Sequence, residues 1–188
     1  GWCPFNETWD WNNRKQCDAI IETVYRTTKA IDPTRPVIDT SGNFHIVTDI
    51  FDIHDYEQDP KKFAYNRLKT LDGIVGDTTE RNPIYNGRQK YDGVSPFFIS
   101  EYGGILWSPS QDDSWGYGTT PKTQDEFVQR YKALTEIIMN NEIIMGFCYT
   151  QLYDVEQERN GLMTYNRKFK FDPEIFREIN SRIAAIEK

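Results

Sequence analysis

Cysteine is scarce in these 188 residues: only Cys3, Cys17 and Cys148 occur. Three scattered thiols are too few for a disulfide framework or a zinc site, and buried free thiols are the plainer reading. Long apolar runs are lacking too. No stretch approaches the ~18 residues that cross a bilayer, and nothing has the form of a signal peptide, so no membrane partner is expected. The chain begins at Gly1 rather than Met, which leaves an earlier targeting segment and the compartment open. Basic charge is in deficit, with 22 Lys+Arg against 29 Asp+Glu for a net charge of −7, and this argues against a nucleic-acid partner. No internal repeat, low-complexity tract or linker divides the chain, which is long enough to bury the core of one domain.

Aromatic residues, by contrast, make up 14% of the chain, with 5 Trp and 11 Tyr. Ring faces pack on the C–H surfaces of flat, polyhydroxylated ligands while Tyr and Trp keep a polar handle. A large aromatic core has the same composition.

Short apolar runs alternate with helical patterns. GWCPFN reads as a strand, and Cys17, Ile20, Ile21, Val24, Tyr25 and Ile31 recur at helical spacing, which predicts a helix over about 13–31. RPVIDTSG and IFDIHDY read as strands, and Asp59-Pro60 opens a helix over about 60–71. Residues 73–95 read as a polar loop, and PFFISEYGG reads as an apolar strand. A Trp- and Gly-rich loop spans 105–122, and a Thr123–Glu126 capping box starts a helix whose stripe is Phe127, Tyr131, Leu134 and Ile138. IIMGFCYTQL is the last strand. Asp172-Pro173 starts the final helix, with Ile175, Ile179, Ile183 and Ile186 inward. Five unbroken apolar strands with covering helices predict a parallel α/β fold. Five units fall short of the ~250 residues of an eight-unit barrel, so the expected fold is a partial (β/α)8 barrel.

In such barrels chemistry gathers at the C-terminal ends of the strands. The first strand delivers Asn6 and Glu7 there, the third His54, Asp55 and Tyr56, the fourth Glu101 and Tyr102, and the fifth Tyr149, Gln151 and Tyr153. A pair of carboxylates is what glycosidic cleavage requires, one donating a proton and the other attacking the anomeric carbon or activating water. Their separation decides between retention and inversion. Asn6, His54 and Tyr56 are the residue types that orient a sugar hydroxyl and tune a carboxylate.

WCPFNETWDW, RPVIDTSG, DIHDY, FISEYGG and YTQLYDVEQERNGL, in that order, resemble the fourth to eighth strands of glycoside hydrolase family 2, the β-galactosidase, β-glucuronidase and β-mannosidase group. The resemblance covers nearly the whole chain. It implies residues 1–188 as the C-terminal part of a catalytic barrel, without the first three strands, the Arg they carry, or the N-terminal β-sandwich domains. It further implies a retaining hydrolase of terminal β-linked sugars that needs no cofactor, with Glu7 as acid/base, Glu101 as nucleophile and Asn6 on the sugar 2-OH. His54 and Tyr56, in a His-x-Tyr arrangement, border the nucleophile and the sugar. Where many relatives place a Trp on the last strand, this chain has Tyr149 with Gln151 nearby. The partner expected is a carbohydrate substrate. A partial barrel alone is expected to hydrolyse little and to self-associate through its open edges.

Plainer readings stand beside these. Glu7 as a solvated loop acid and Glu101 as an ion-pair partner are the alternatives to catalysis, which would leave a non-catalytic carbohydrate-binding fragment. His54 is as readily a hydrogen-bonded core residue, and His45 reads as a loop residue remote from any metal ligand set. Trp107, Trp115 and Tyr117 either line a sugar subsite or pack their loop onto the barrel. The NET sequon at 6–8 reads as chance, and the acids Asp112-Asp113 and Asp154 to Glu158 as solvated faces without calcium-loop spacing.

Overall fold

A computed structural model describes residues 1–8, 15–64, 91–109 and 113–188. Its regular elements are α1 (Asp18–Ile31), β1 (Phe51–Asp55), β2 (Phe97–Gly103), α2 (Gln124–Met139), β3 (Ile144–Thr150) and α3 (Pro173–Asn180), with a 3-10 turn at Ala185–Glu187. The strands form one parallel sheet in the order β1-β2-β3. This is a small α/β fold compatible with part of a barrel. The chain divides into two compact units. The first holds the described residues 1–8, 15–54 and 91–100; the second holds 55–64, 101–109 and 113–188.

In the first unit, two of the five expected strands are only partly formed. Residues 1–6 and 35–42 run parallel but touch at two isolated bridges, Trp2 with Val37 and Asn6 with Ser41. Pro4 explains the gap, because it has no N–H for the rung between those bridges. The Thr40 amide is also diverted, donating to the Asp39 carboxylate at 2.8 Å. The bridges are fixed by Ile38 N–H donating to the Trp2 carbonyl and Ser41 N–H to the Phe5 carbonyl, each at 2.9 Å. Thr8, the sequon threonine, pins the end of this segment with hydroxyl contacts to Gln16 at 2.8 Å and Thr40 at 2.7 Å.

Helix α1 starts at Asp18, later than predicted; residues 15–17 are not helical, and 13 and 14 lie outside the described residues. Ile21 is its buried residue, whereas Cys17, Ile20 and Ile31 are exposed. Ile20 precedes Ile21 by one ~100° step and so points away from the buried side. Asp49 ties the helix to the loop beyond it, accepting from Tyr25 at 2.6 Å, Lys29 at 3.0 Å and the Val37 amide at 2.9 Å. Val37, Phe51, Ile53, Phe97 and Ile99 form this unit's core. The near-continuous burial of β1 is that of a strand covered on both faces.

In the second unit, Asp59 accepts from the Lys61 amide at 2.8 Å and opens a helix followed through 60–64; the rest of the predicted 60–71 helix and the loop through 90 lie outside the described residues. Thr123 caps α2 by accepting from the Glu126 amide at 3.1 Å. The predicted stripe of Phe127, Tyr131, Leu134 and Ile138 is buried. Asp172 caps α3 by accepting from the Glu174 amide at 3.0 Å. Here the expected inward face is corrected: Phe176 and Ile179 are buried, and Ile183 and Ile186 lie past the helix end and are exposed. The helix stops at Asn180, so the i, i+4 spacing beyond it no longer selects a face. Asp154, expected on a solvated face, is instead buried with Lys170 at 2.5 Å.

Candidate active site

In the first unit, Glu7 ends the bridged segment with a left-handed backbone (φ 50) while its amide donates to the Ser41 carbonyl at 3.0 Å. That turn presents a carboxylate still 37% exposed, and its Oε1 lies 2.8 Å from His54 Nδ1. Asn6 beside it is exposed. The His54 side chain is nearly buried, at 3%. Its Nε2 lies 3.0 Å from the Ser41 hydroxyl, which donates to Asp52 at 2.6 Å. The ring packs on Gly42, whose φ is +71, and a Cβ added there would fall 2.3 Å from it. Glycine at this position therefore answers both a backbone and a packing demand.

Sequence reading missed the interior of this unit. His45, taken for a remote loop residue, is buried between Asp39 at 2.7 Å and Asp52 at 3.3 Å. Burial disfavours its charge, but hydrogen bonds to Asp39 and Asp52 outweigh that and raise its pKa to about 9. Burial also acts to raise the Asp52 pKa; hydrogen bonding and charge attraction from His45 overcome it and lower the value. A clue lay in the sequence: Asp52 and His54 alternate on one strand, and two acids flank the loop that carries the other histidine.

In the second unit, β2 carries Glu101 and ends at Gly103, which Gly104 follows, both with positive φ. The Tyr56 hydroxyl donates to Glu101 Oε2 and lies 3.3 Å from Thr150 Oγ1. Its ring stacks on Tyr117 at 3.7 Å. Burial, reinforced by the hydrogen bond to Glu101, pushes the Tyr56 pKa far up, so the phenol stays a donor. A Cβ on Gly104 would strike Tyr117, and one on Gly103 would strike Tyr149.

The remaining residues singled out from sequence divide between site and scaffold. The Tyr149 hydroxyl is engaged internally, donating to the Asn160 carbonyl and accepting from the Ile105 amide, each at 3.3 Å. Trp107 packs its ring on Phe127 and Phe171 at 6.4 and 6.0 Å, which is the packing alternative for that loop. Asp55 accepts from the Glu57 amide at 2.9 Å, and the Tyr102 hydroxyl pairs with Thr135 at 2.7 Å in the core. Tyr153 lies under the Arg167 guanidinium at 3.8 Å. Gln151 follows a cis peptide bond, and its buried Nε2 has no hydrogen-bond partner among the described residues. A buried donor left unmade costs about 1–3 kcal/mol, so an amide in this state favours an incoming acceptor. Trp9, Trp11 and Asp112 lie outside the described residues.

No protein-family model matches the chain, and no curated protein sequence matches it. Solved structures do. A family 2 β-galacturonidase of Eisenbergiella tayi bound to glycerol aligns at 17% identity with a TM-score of 0.60, covering 89% of this chain and 30% of that one. A Dictyoglomus thermophilum β-D-glucuronidase aligns at 18% identity and TM-score 0.56, covering 91% and 30%. A Bifidobacterium dentium β-glucuronidase complexed with coumarin-3-O-glucuronide aligns at 16% and 0.59, covering 90% and 28%. The chain thus spans about 30% of the length of these enzymes. At these identities the likeness is one of fold, and over nearly its whole length the chain resembles part of a glycoside hydrolase family 2 enzyme.

Proposed function

We propose that the chain is the part of a retaining β-glycosidase that carries both of its catalytic carboxylates. Glu101 is the nucleophile: its carboxylate attacks the anomeric carbon, and the glycosidic C–O bond breaks. Glu7 is the acid that protonates the departing oxygen, and then the base that takes a proton from the water that releases the sugar from Glu101. The observation that carries this reading is the hydrogen bond from Tyr56 to Glu101. A phenol whose pKa is pushed up gives its proton to the acid as a hydrogen bond only, so Glu101 is favoured as an oriented anion ready to attack. Glu7, facing an imidazole nitrogen instead, has a partner suited to exchanging a proton.

The substrate class we infer is a terminal β-linked sugar, with uronides first because the structural neighbours include a β-galacturonidase and β-glucuronidases. Asn6 and Gln151 are the proposed hydroxyl-binding side chains. The test is a screen of nitrophenyl β-glucuronide, β-galacturonide, β-galactoside, β-mannoside and β-glucoside. It uses both the 188-residue chain and a longer protein that supplies the other barrel strands. We expect hydrolysis by the longer protein, little by the chain alone, and loss of turnover in Glu101→Gln. Turnover that survives Glu101→Gln would remove Glu101 from its role. Binding of a sugar by both proteins without hydrolysis would favour a carbohydrate-binding fragment.

A further inference from the structure

The first unit buries Asp39, Ser41, His45 and Asp52 together. His45 Nδ1 lies 2.7 Å from Asp39 Oδ1. Asp39 also accepts from the backbone amides of Thr40 at 2.8 Å, Ile46 at 2.7 Å and Val47 at 3.1 Å, the environment of an ionised carboxylate. On the other side His45 Nε2 lies 2.9 Å from the Asp52 carbonyl, which can only accept. Both ring nitrogens therefore donate, and His45 is an imidazolium. The Asp52 amide, at 3.2 Å from Nε2, is the longer of the two contacts and yields to the carbonyl. This cation stands 3.3 Å from Asp52 Oδ1.

Asp52 Oδ2 collects the remaining donors: Ser41 at 2.6 Å, the Gly42 amide at 3.1 Å, and the Ser100 hydroxyl. Ser41 has one proton, and a carboxylate beside a cation takes it in preference to a neutral imidazole nitrogen. What Ser41 offers His54 is then a lone pair, so the 3.0 Å contact requires a proton on His54 Nε2. Nδ1 faces Glu7 Oε1 at 2.8 Å. A bare nitrogen against a bare carboxylate would repel, so one proton lies between them, either as the Glu7 acid donating to Nδ1 or as an imidazolium donating to the Glu7 carboxylate.

We propose that Asp52, backed by His45, is a positioning residue that acts through Ser41 to fix His54 as an Nε2 donor, so that Glu7 and His54 share a single proton. The wiring stands on the geometry alone. Its catalytic meaning rests on Glu7 being the proton donor: the shared proton is the one the leaving oxygen would receive, and the same pair would take one back from water in the second half of the reaction.

The chain has two histidines, so imidazole nitrogens can be read directly. Long-range proton–nitrogen spectra of the labelled 188-residue chain near neutral pH, assigned with His54→Gln, report which nitrogens carry protons. We expect both nitrogens of His45, and Nε2 of His54, in the protonated range. Ser41→Ala should shift His54 Nε2 to the unprotonated range, and Ser41→Thr should restore it. Glu7→Ala should leave Nε2 protonated. An unprotonated Nε2 in the unaltered chain, or no shift in Ser41→Ala, overturns the proposal. Because the spectrum involves no turnover, it succeeds or fails independently of whether Glu7→Gln abolishes glycoside hydrolysis.

Discussion

In the first compact unit Glu7 meets an imidazole that leads inward to Ser41, Asp52, His45 and Asp39, a run of groups that exchange or hold protons. In the second, Glu101 accepts from a phenol that is itself stacked on a tyrosine. Two carboxylates in one chain are thereby given different chemistry by what stands behind them. A donor needs a partner that can hand over a proton, while a nucleophile needs one that orients it and gives nothing away. This contrast turns the proposed roles into separate expectations for the two sides.

The largest effect is expected from removing the attacking group. Glu101→Gln in a barrel-complete protein should abolish measurable turnover, whereas Glu7→Gln should cost roughly 10²–10⁴-fold and less with a nitrophenyl leaving group that needs little protonation. Steady-state rates on activated and unactivated substrates separate the two; equal losses for both variants on both substrates would erase the contrast.

Next comes the interior of the first unit. Asp52→Asn leaves Asp39 as the acid still paired with the buried His45, so the loss should stay below the about 3–5 kcal/mol of a fully broken buried pair. Denaturant unfolding of the 188-residue chain measures it. The same group sets a pH window. His45 is raised to about 9 from an ordinary value near ~6.5, so its stabilisation is complete below ~6.5 and is lost as pH climbs through about 9. Asp52 is lowered, so its contribution is present above ~4 and is lost as pH falls through its folded value. Melting temperature plotted against pH should fall on the alkaline side; a flat profile from pH ~6.5 to ~9 would show that His45 is not charged in the fold.

On the side of Glu101, Tyr56→Phe removes one hydrogen bond to a charged group, worth about 1.5–3 kcal/mol, or roughly 10- to 150-fold in kcat/KM. The fold should survive, since the ring stack on Tyr117 remains. The smallest change is Gly42→Ala, where φ of +71 and the His54 ring together oppose a methyl group. A loss of about 1–2 kcal/mol is expected from the backbone conformation, with displacement of His54 added to it. A crystal structure of the variant with His54 unmoved would show that the backbone at residue 42 gives way instead.

The elements with local signals were legible in the chain. Thr123 and Asp172 cap helices as their spacing implies, and the Phe127–Tyr131–Leu134–Ile138 stripe faces inward, because caps and 3.6-residue periodicity are properties of neighbours in sequence. The apolar runs that became β1, β2 and β3 were equally plain. The first two expected strands pair only at two bridges, because one proline and one diverted amide break a pairing that only the partner strand reveals. Glu7 with His54, and Glu101 with Tyr56, were named from strand ends, but not which partner each would take.

Caps, periodicity and apolar runs made the order of the main helices and strands readable from the chain, together with its two candidate acids and the Gly-Gly that follows one of them. The fold in space settled that His45 is a buried cation rather than a loop residue, and that Asp154 is paired to Lys170 rather than solvated. It also decided that the hydroxyl of Tyr149 is occupied within the fold. The reason is physical. Charge state and hydrogen-bond direction follow from burial and from groups distant in the chain, and neither is written in the residues on either side.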